Sequence, residues 1–97
     1  MSVKEIEKQV VKIIHNHLGY DVKIYLFGSQ ARGRAQPASD IDIAVDLKHG
    51  SKNTKNKFSF IRTEIDTLRT LRKIDVIDLS LTKRKFKDHI FKYAIPL

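Results

Sequence analysis

The amino-acid sequence predicts a small α/β (α+β) domain, a mixed β-sheet with helices packed on one face. Three observations lead there. The chain has 97 residues, enough for one hydrophobic core and too few for two, so residues 1–97 read as a single domain. Stretches with apolar residues at three-and-four spacing alternate with short β-branched runs, the pattern of helices laid over strands. Hydrophobic residues make up 41% and charged residues 31%, a balance that packs a core rather than leaving the chain disordered. There is no cysteine, which excludes disulfides and zinc sites built on thiolates.

Each element can be justified in order. From Ser2 to Leu18, Val3, Ile6, Val10, Ile13, Ile14 and Leu18 fall close to one helical face. Ser2 followed by Glu5 has the form of a capping box, and Gly19 is a natural stop. Val22-Lys23-Ile24-Tyr25-Leu26-Phe27 is a β-branched and aromatic run that breaks at Gly28-Ser29, so it reads as a strand ending in a turn. Residues 30–39 contain Gly33 and Pro37 and are expected to be mostly loop, with room for one helical turn. A second strand is expected from Asp40 to Leu47, followed by a polar, turn-like stretch from His49 to Asn56. Phe58, Ile61, Ile65, Leu68 and Leu71 then repeat every three or four residues, which predicts a long amphipathic helix between Lys57 and Arg72. Ile74 to Leu79 reads as a third strand. Thr82 is placed to cap a last helix lined by Phe86, Ile90 and Ala94. The sheet face away from the helices is expected to stay available.

No apolar run approaches the roughly 20 residues a membrane span needs, and Met1-Ser2-Val3-Lys4-Glu5 opens an amphipathic pattern rather than a signal peptide. A soluble, cytoplasmic protein is expected. Nineteen Lys and Arg against eleven Asp and Glu leave a net charge of +8. Residues 51–97 hold twelve basic and five acidic side chains, so the C-terminal half carries most of the excess. Such a field attracts nucleotides, RNA or an acidic protein surface without choosing among them, and it is equally the mark of solvated helix surfaces.

The chemistry concentrates in Ser39-Asp40-Ile41-Asp42-Ile43-Ala44-Val45-Asp46. Side chains alternate across a strand, so Asp40 and Asp42 share one side while Ile41, Ile43 and Val45 take the other. Adjacent carboxylates repel and raise each other's pKa unless a cation lies between them, an arrangement costly for a structural surface and suited to a hard divalent ion such as Mg²⁺. An acidic strand face, or an edge guarded by charge, would leave the same trace, and Asp46 shares the parity. The pair does not stand alone. Gly28-Ser29 ends the preceding strand, where backbone N–H groups and a hydroxyl can meet phosphate oxygens, and Arg32 can hold a phosphate bidentately or brace the carboxylates.

Taken together, Leu26-Phe27-Gly28-Ser29-Gln30-Ala31-Arg32-Gly33 and Ser39-Asp40-Ile41-Asp42-Ile43-Ala44-Val45 resemble the signature of the minimal nucleotidyltransferases, the smallest members of the DNA polymerase β-like superfamily. The resemblance spans nearly the whole chain and implies a nucleotidyltransferase-like fold. It also implies a third carboxylate from a later strand. Ile74-Asp75-Val76-Ile77-Asp78 offers two, which face opposite sides of a regular strand, so at most one can join the pair. Similarity to the family favours Asp75, leaving Asp78 as an exposed or helix-capping acid; a bulge would exchange the two. The implied mechanism is nucleotidyl transfer with two Mg²⁺ bound by Asp40, Asp42 and Asp75. One ion would lower the pKa of an attacking hydroxyl and the other would stabilise the leaving pyrophosphate. Gly28 and Ser29 would hold the β- and γ-phosphates, Arg32 would neutralise phosphate charge or orient the loop, and ATP is the donor the family suggests. Members of the family commonly pair with a small helical toxin of the HEPN type and act as its antitoxin, some by attaching AMP units to a tyrosine of that partner.

Other residues receive blander readings. His15 and His17 project in different directions from their helix and read, like His49 and His89, as surface residues. Lys83-Arg84-Lys85 and Lys87 read as RNA or protein contacts or as a solvated first turn. Phe60, Phe91 and Tyr93 suit an association surface, though core packing is the commoner fate of aromatic residues. The alternative to an enzyme is a non-catalytic binding module that neutralises a partner protein or binds RNA through its basic surface. A pure binder has no need of mutually repelling carboxylates.

Overall fold

The structure, a computed structural model, describes residues 1–33, 39–47 and 53–97. Helix α1 (Val3–Leu18) begins at Ser2, whose hydroxyl accepts the Glu5 amide at 3.2 Å, and ends at Gly19, where φ is +82° and the amide bonds back to the His15 carbonyl. Strand β1 (Val22–Phe27) leads into the single turn α2 (Gly28–Ala31). Strand β2 (Ile41–Leu47), helix α3 (Thr54–Ile65) and strand β3 (Ile74–Asp78) follow. A 3₁₀ turn (Leu79–Leu81), helix α4 (Arg84–Phe91) and a two-residue strand β4 (Ile95–Pro96) complete the order. Among these elements no helix is long and apolar enough to cross a membrane.

The sheet runs β3-β2-β1-β4 and is mixed: β2 pairs antiparallel with β1 and parallel with β3. Because the side-chain period is two, one face collects Ile24, Leu26, Ile41, Ile43, Val45 and Val76. Helices α1 and α3 close over that face with Ile6, Val10, Ile14, Phe58, Ile61 and Ile65. Burying each of these side chains contributes about 1.5–3 kcal/mol, which makes this layer the main source of stability. The expected mixed sheet is present, with α1 and α3 on one face. The other face, expected to stay available, is instead partly covered by α4, whose Ile90 packs with Ala44 and Leu79 beside Tyr25 and Phe27 because those residues make this side of the strands apolar as well.

Several boundaries differ from the sequence expectation. The long helix expected to Arg72 stops at Ile65, where the chain tightens: the Thr67 and Leu68 amides bond to Glu64 and Ile65, and the Thr67 hydroxyl donates to the Glu64 carbonyl at 2.6 Å. A hydroxyl that bonds its own backbone competes with helix propagation. Leu68 still packs on the core, but Leu71 is fully exposed. The same helix starts earlier than expected, at Thr54 after Asn53 in the left-handed region (φ +63°), so residues 54–56 are helical rather than turn. Thr82 does not cap α4. Its hydroxyl donates to the Asp78 carbonyl, Lys83 holds the cap position, and Ala94 lies beyond the helix end. Leu79 leaves β3 for the 3₁₀ turn, Asp40 stands just before β2, and β4 was not expected. His49 and most of the expected loop between α2 and β2 lie outside the described residues.

Candidate functional site

The three acidic residues singled out from the sequence meet at one end of the sheet because of its register. Phe27 stands opposite Asp42 across β1 and β2, and Asp42 stands opposite Asp75 across β2 and β3, so the three occupy one row. Asp40, exposed, precedes the strand by one residue. The start of β2 is tied to the chain entering β3 twice: the Ile41 amide donates to the Lys73 carbonyl at 2.9 Å, and Arg72 Nη1 donates to the Ser39 carbonyl at 3.1 Å. These bonds fix where Asp40 emerges.

Gly28 presses against this row from the end of β1. Its φ is +73°, a region that L side chains rarely occupy, and a Cβ built there would collide with the Asp42 carboxylate. Only a bare backbone lets the α2 turn and the carboxylate stand so close. Ser29 follows, half-buried, and the turn closes through the Arg32 amide on the Gly28 carbonyl at 3.1 Å.

Electrostatics mark Asp42 as the strained member. Its pKa is raised above the ordinary aspartate value, first by burial and then by the negative charges of Asp75 and Asp40, with Lys73 acting in the opposite sense. Lys73 Nζ lies 3.9 Å from Asp75 Oδ2. Asp78 is apart from this group. It is buried and accepts from the Ser80 amide at 2.9 Å and the Ser80 hydroxyl at 2.6 Å, which makes it the cap of the 3₁₀ turn. Asp46 shares the face of Asp42 but stands opposite Lys23 in the ladder.

Among the described residues no three acidic or histidine side chains already enclose a point where an ion could sit. The donor set nevertheless fits a hard divalent cation. It consists of carboxylate oxygens alone, and a cation between Asp42 and its neighbours would relieve the repulsion that raises the Asp42 pKa. Asp40, Asp42 and Asp75 are the residues that would hold it.

Beside the Gly28 turn lies a cleft of about 240 Å³ that the sequence did not reveal. One wall is Phe27, Gly28, Ser29 and Arg32, and the other is Phe86, His89 and Tyr93. The Arg32 guanidinium lies over the Tyr93 ring at 4.8 Å, and Phe86 meets Phe27 edge-on at 6.5 Å. Core packing is not the fate of the three aromatic residues in question: Phe60, Phe91 and Tyr93 are all exposed. Phe91 meets Tyr25 edge-on, and Phe60 stacks near His17, which is not a free surface residue but bonds Glu64 at 2.9 Å across α1 and α3. The one signal for the cleft in the sequence was the clustering of aromatic residues near the C-terminus; nothing there indicated that they would face Gly28.

The sequence profile of the family described as Polymerase beta, Nucleotidyltransferase matches residues 8–97. A Methanocaldococcus jannaschii protein, named provisionally as a protein adenylyltransferase, is 30% identical over 97 residues, spanning 98% of this chain and 97% of that protein. The fold is similar to that of a protein named provisionally as a minimal nucleotidyltransferase, with a TM-score of 0.73 at 23% identity over 100% of this chain and 97% of that one. It is also similar to a chain of a toxin–antitoxin complex with AMP-PNP (TM-score 0.66, 22% identity, 93% of this chain and 70% of that one). A third likeness is to a complex of a tri-AMPylated Shewanella oneidensis HEPN toxin with its MNT antitoxin (TM-score 0.63, 20% identity, 96% and 69%). At these identities the structural likenesses establish the shared fold.

Proposed function

We propose, from the premise that this chain belongs to the polymerase β nucleotidyltransferase family, that it transfers AMP from ATP to a protein. We assign it a helical HEPN-type toxin as partner and the antitoxin role in that pair. The observation that carries the reading is Gly28 set against the paired Asp42 and Asp75: a side-chain-free turn pressed on a carboxylate that two other carboxylates already crowd. A fold that only needed a binding surface would gain stability by losing that repulsion. The relative named as a protein adenylyltransferase, and the AMPylated complex that shares the fold, support protein as the acceptor class.

In this reading Asp40, Asp42 and Asp75 would hold Mg²⁺, two ions by the family resemblance. The metal would supply charge neutralisation on the phosphates and a lower pKa for the attacking hydroxyl. The residues do the rest. Gly28 brings main-chain N–H groups close to the β- and γ-phosphates, and Ser29 donates its hydroxyl to them. Arg32 extends over Tyr93 at the mouth of the cleft and neutralises phosphate charge. The adenine enters between Phe86 and Tyr93, whose exposed rings offer stacking faces. Asp75, beyond Asp42 from the turn, lies on the side from which the acceptor hydroxyl approaches.

The test is transfer of label from ATP to the product of the neighbouring gene in the presence of Mg²⁺, with Asp42→Asn as the control. The reading expects a labelled partner with the native chain and a loss of rate on the order of a thousandfold or more with the variant, as for removal of a group that acts in the transition state. Neutralisation of the partner that survives the substitution, with no label transferred by either chain, would instead establish a binding module.

A further inference from the structure

A second cleft, of about 340 Å³, lies at the β3 edge of the sheet, and its basic residues, Arg62, Arg72 and Lys73, have no part in the reading above. Its walls come from the end of α3, the turn that follows and the start of β3, with Asp75 among them. Arg62 Nη2 donates to the Val76 carbonyl at 3.0 Å, and its guanidinium lies over the Phe58 ring at 5.6 Å. Arg72 Nη1 donates to the Ser39 carbonyl at 3.1 Å. Each guanidinium is thus oriented by a main-chain oxygen and, among the described residues, paired with no carboxylate. Most of its N–H donors remain for a ligand, and holding the fork in place beforehand lowers the entropy lost on binding. Lys73 adds a third positive charge; its contact with Asp75, 3.9 Å between exposed groups, holds it only loosely. The acids in the wall are Asp66 and Asp75, and the proposed function commits Asp75 to a metal.

Position gives this charge a use. The strand order places the Gly28-Ser29 turn on the β1 side of Asp42 and the cleft on the β3 side, next to Asp75. Displacement at phosphorus needs the attacking and leaving oxygens on opposite sides. A triphosphate seated at the turn therefore takes its nucleophile from the β3 side, so the segment of protein that carries the acceptor hydroxyl must pass the cleft. Lys73 and Asp75 stand two residues apart, and an extended segment repeats its side chains on the same two-residue step of about 7 Å. With the hydroxyl at Asp75, a neighbouring side chain of the acceptor falls among Lys73 and the two guanidiniums. Of the groups a protein can offer there, a carboxylate is the match: its two planar oxygens meet a guanidinium fork bidentately, and its charge answers a wall left positive once Asp75 is engaged.

We propose that this cleft is a specificity site for an acidic segment of the acceptor protein, taking an Asp or Glu side chain that lies within two residues of the hydroxyl to be modified. Arg62, Arg72 and Lys73 then choose the acceptor and hold it in register with Asp75, while the chemistry stays with the carboxylate row. The inference rests on the nucleotidyl-transfer reading and deepens it by naming what an acceptor must carry beside its hydroxyl.

The probe is the end-blocked peptide Gly-Glu-Gly-Tyr-Gly-Glu-Gly, compared with the same peptide carrying Gln for both Glu and with hexauridylic acid. Each is titrated into the ¹⁵N-labelled full chain, native, Lys73→Ala and Arg62→Gln. The Glu peptide is expected to move amide resonances within residues 66–75 and to bind at least about fivefold more tightly than the Gln peptide, the effect of one or two charge-assisted contacts. Each variant should weaken the Glu peptide about three- to tenfold and the Gln peptide far less, a coupling that a merely structural change does not produce. Mg·ATP titrated separately should still shift the amides of Gly28 and Ser29 in all three chains. Absence of shifts in residues 66–75, equal binding of the two peptides, equal losses for both peptides in both variants, or tighter binding of hexauridylic acid at the same amides would each overturn the proposal. Lys73 is exposed, so its variant reports on the cleft even if Arg62→Gln disturbs the β3 edge. The two readings fail separately: label transfer that persists in Asp42→Asn defeats the transfer reading and leaves the peptide shifts as they are, whereas a labelled partner without preference for the Glu peptide defeats this inference alone.

Discussion

The two faces of β2 are built from alternate residues of the same seven-residue strand, yet they obey opposite rules. Ile41, Ile43 and Val45 are wholly buried beneath α1 and α3. Asp42, from between them, emerges on the other face beside Asp40, Asp75 and the bare backbone of Gly28. One face lowers the free energy of the fold by removing apolar surface from water. The other, beyond the small cluster around Ala44, raises it at the Asp42 end by holding like charges together. The difference teaches how a domain this small tolerates a site at odds with its own stability. The apolar face fixes the strand so firmly that Asp42 cannot turn away, since a one-residue slip in register would bury the carboxylate and expose the isoleucines.

The comparison breaks most readily on the apolar side. Ile43→Ala should cost about 3 kcal/mol through lost burial and the cavity left behind, read as a lower denaturant midpoint with an unchanged slope. Gly28→Ala comes next. Strain at φ +73° and the collision with the Asp42 carboxylate should together cost about 2 kcal/mol and should also reduce Mg·ATP affinity, measured by calorimetry. Gly19→Ala sharpens the contrast. Gly19 has a similar φ of +82° but nothing within 4 Å, so strain alone, about 1 kcal/mol, should lower stability and leave nucleotide binding as it was.

Much of this arrangement was legible in the sequence because it depends on period. Helix α1, with Ser2 and Gly19 at its ends, and the parity that separates Asp42 from Ile41 and Ile43 follow from spacing alone. The end of α3 did not, because Leu68 and Leu71 continue the helical rhythm after hydrogen bonding has changed; the Thr67 hydroxyl on Glu64 decides the matter, and only Leu68 keeps its place on the core. Strand β4 is two residues long, too short for any period to show, and exists because β1 offers an edge at Tyr25 and Leu26. The cleft between Arg32 and Tyr93 joins residues far apart in the chain, a contact that local patterns do not encode. Spacing alone separates Asp75 from Asp78 only as opposite parities, and the choice of Asp75 comes from the family resemblance; register with Asp42 on one side, and the Ser80 hydrogen bonds on the other, distinguish their surroundings.

The smallest effect is also the most direct test of the claim that the carboxylate face is made for a cation. Asp42 binds its proton more tightly in the folded chain than in the unfolded one, so between the ordinary aspartate value of 3.8 and the raised value the native state holds more protons, and stability falls as pH rises through that window. At pH 7 the native chain therefore bears a penalty that Asp42→Asn removes. Thermal unfolding of both chains at pH 7, with and without Mg·ATP, reads this out. Without ligand the variant should melt higher, the gain fading as pH falls through the raised value towards 3.8; with Mg·ATP the order should reverse, because only the native chain gains binding free energy from the ion. A variant that melts lower without ligand, or that Mg·ATP stabilises as much as the native chain, would contradict the account.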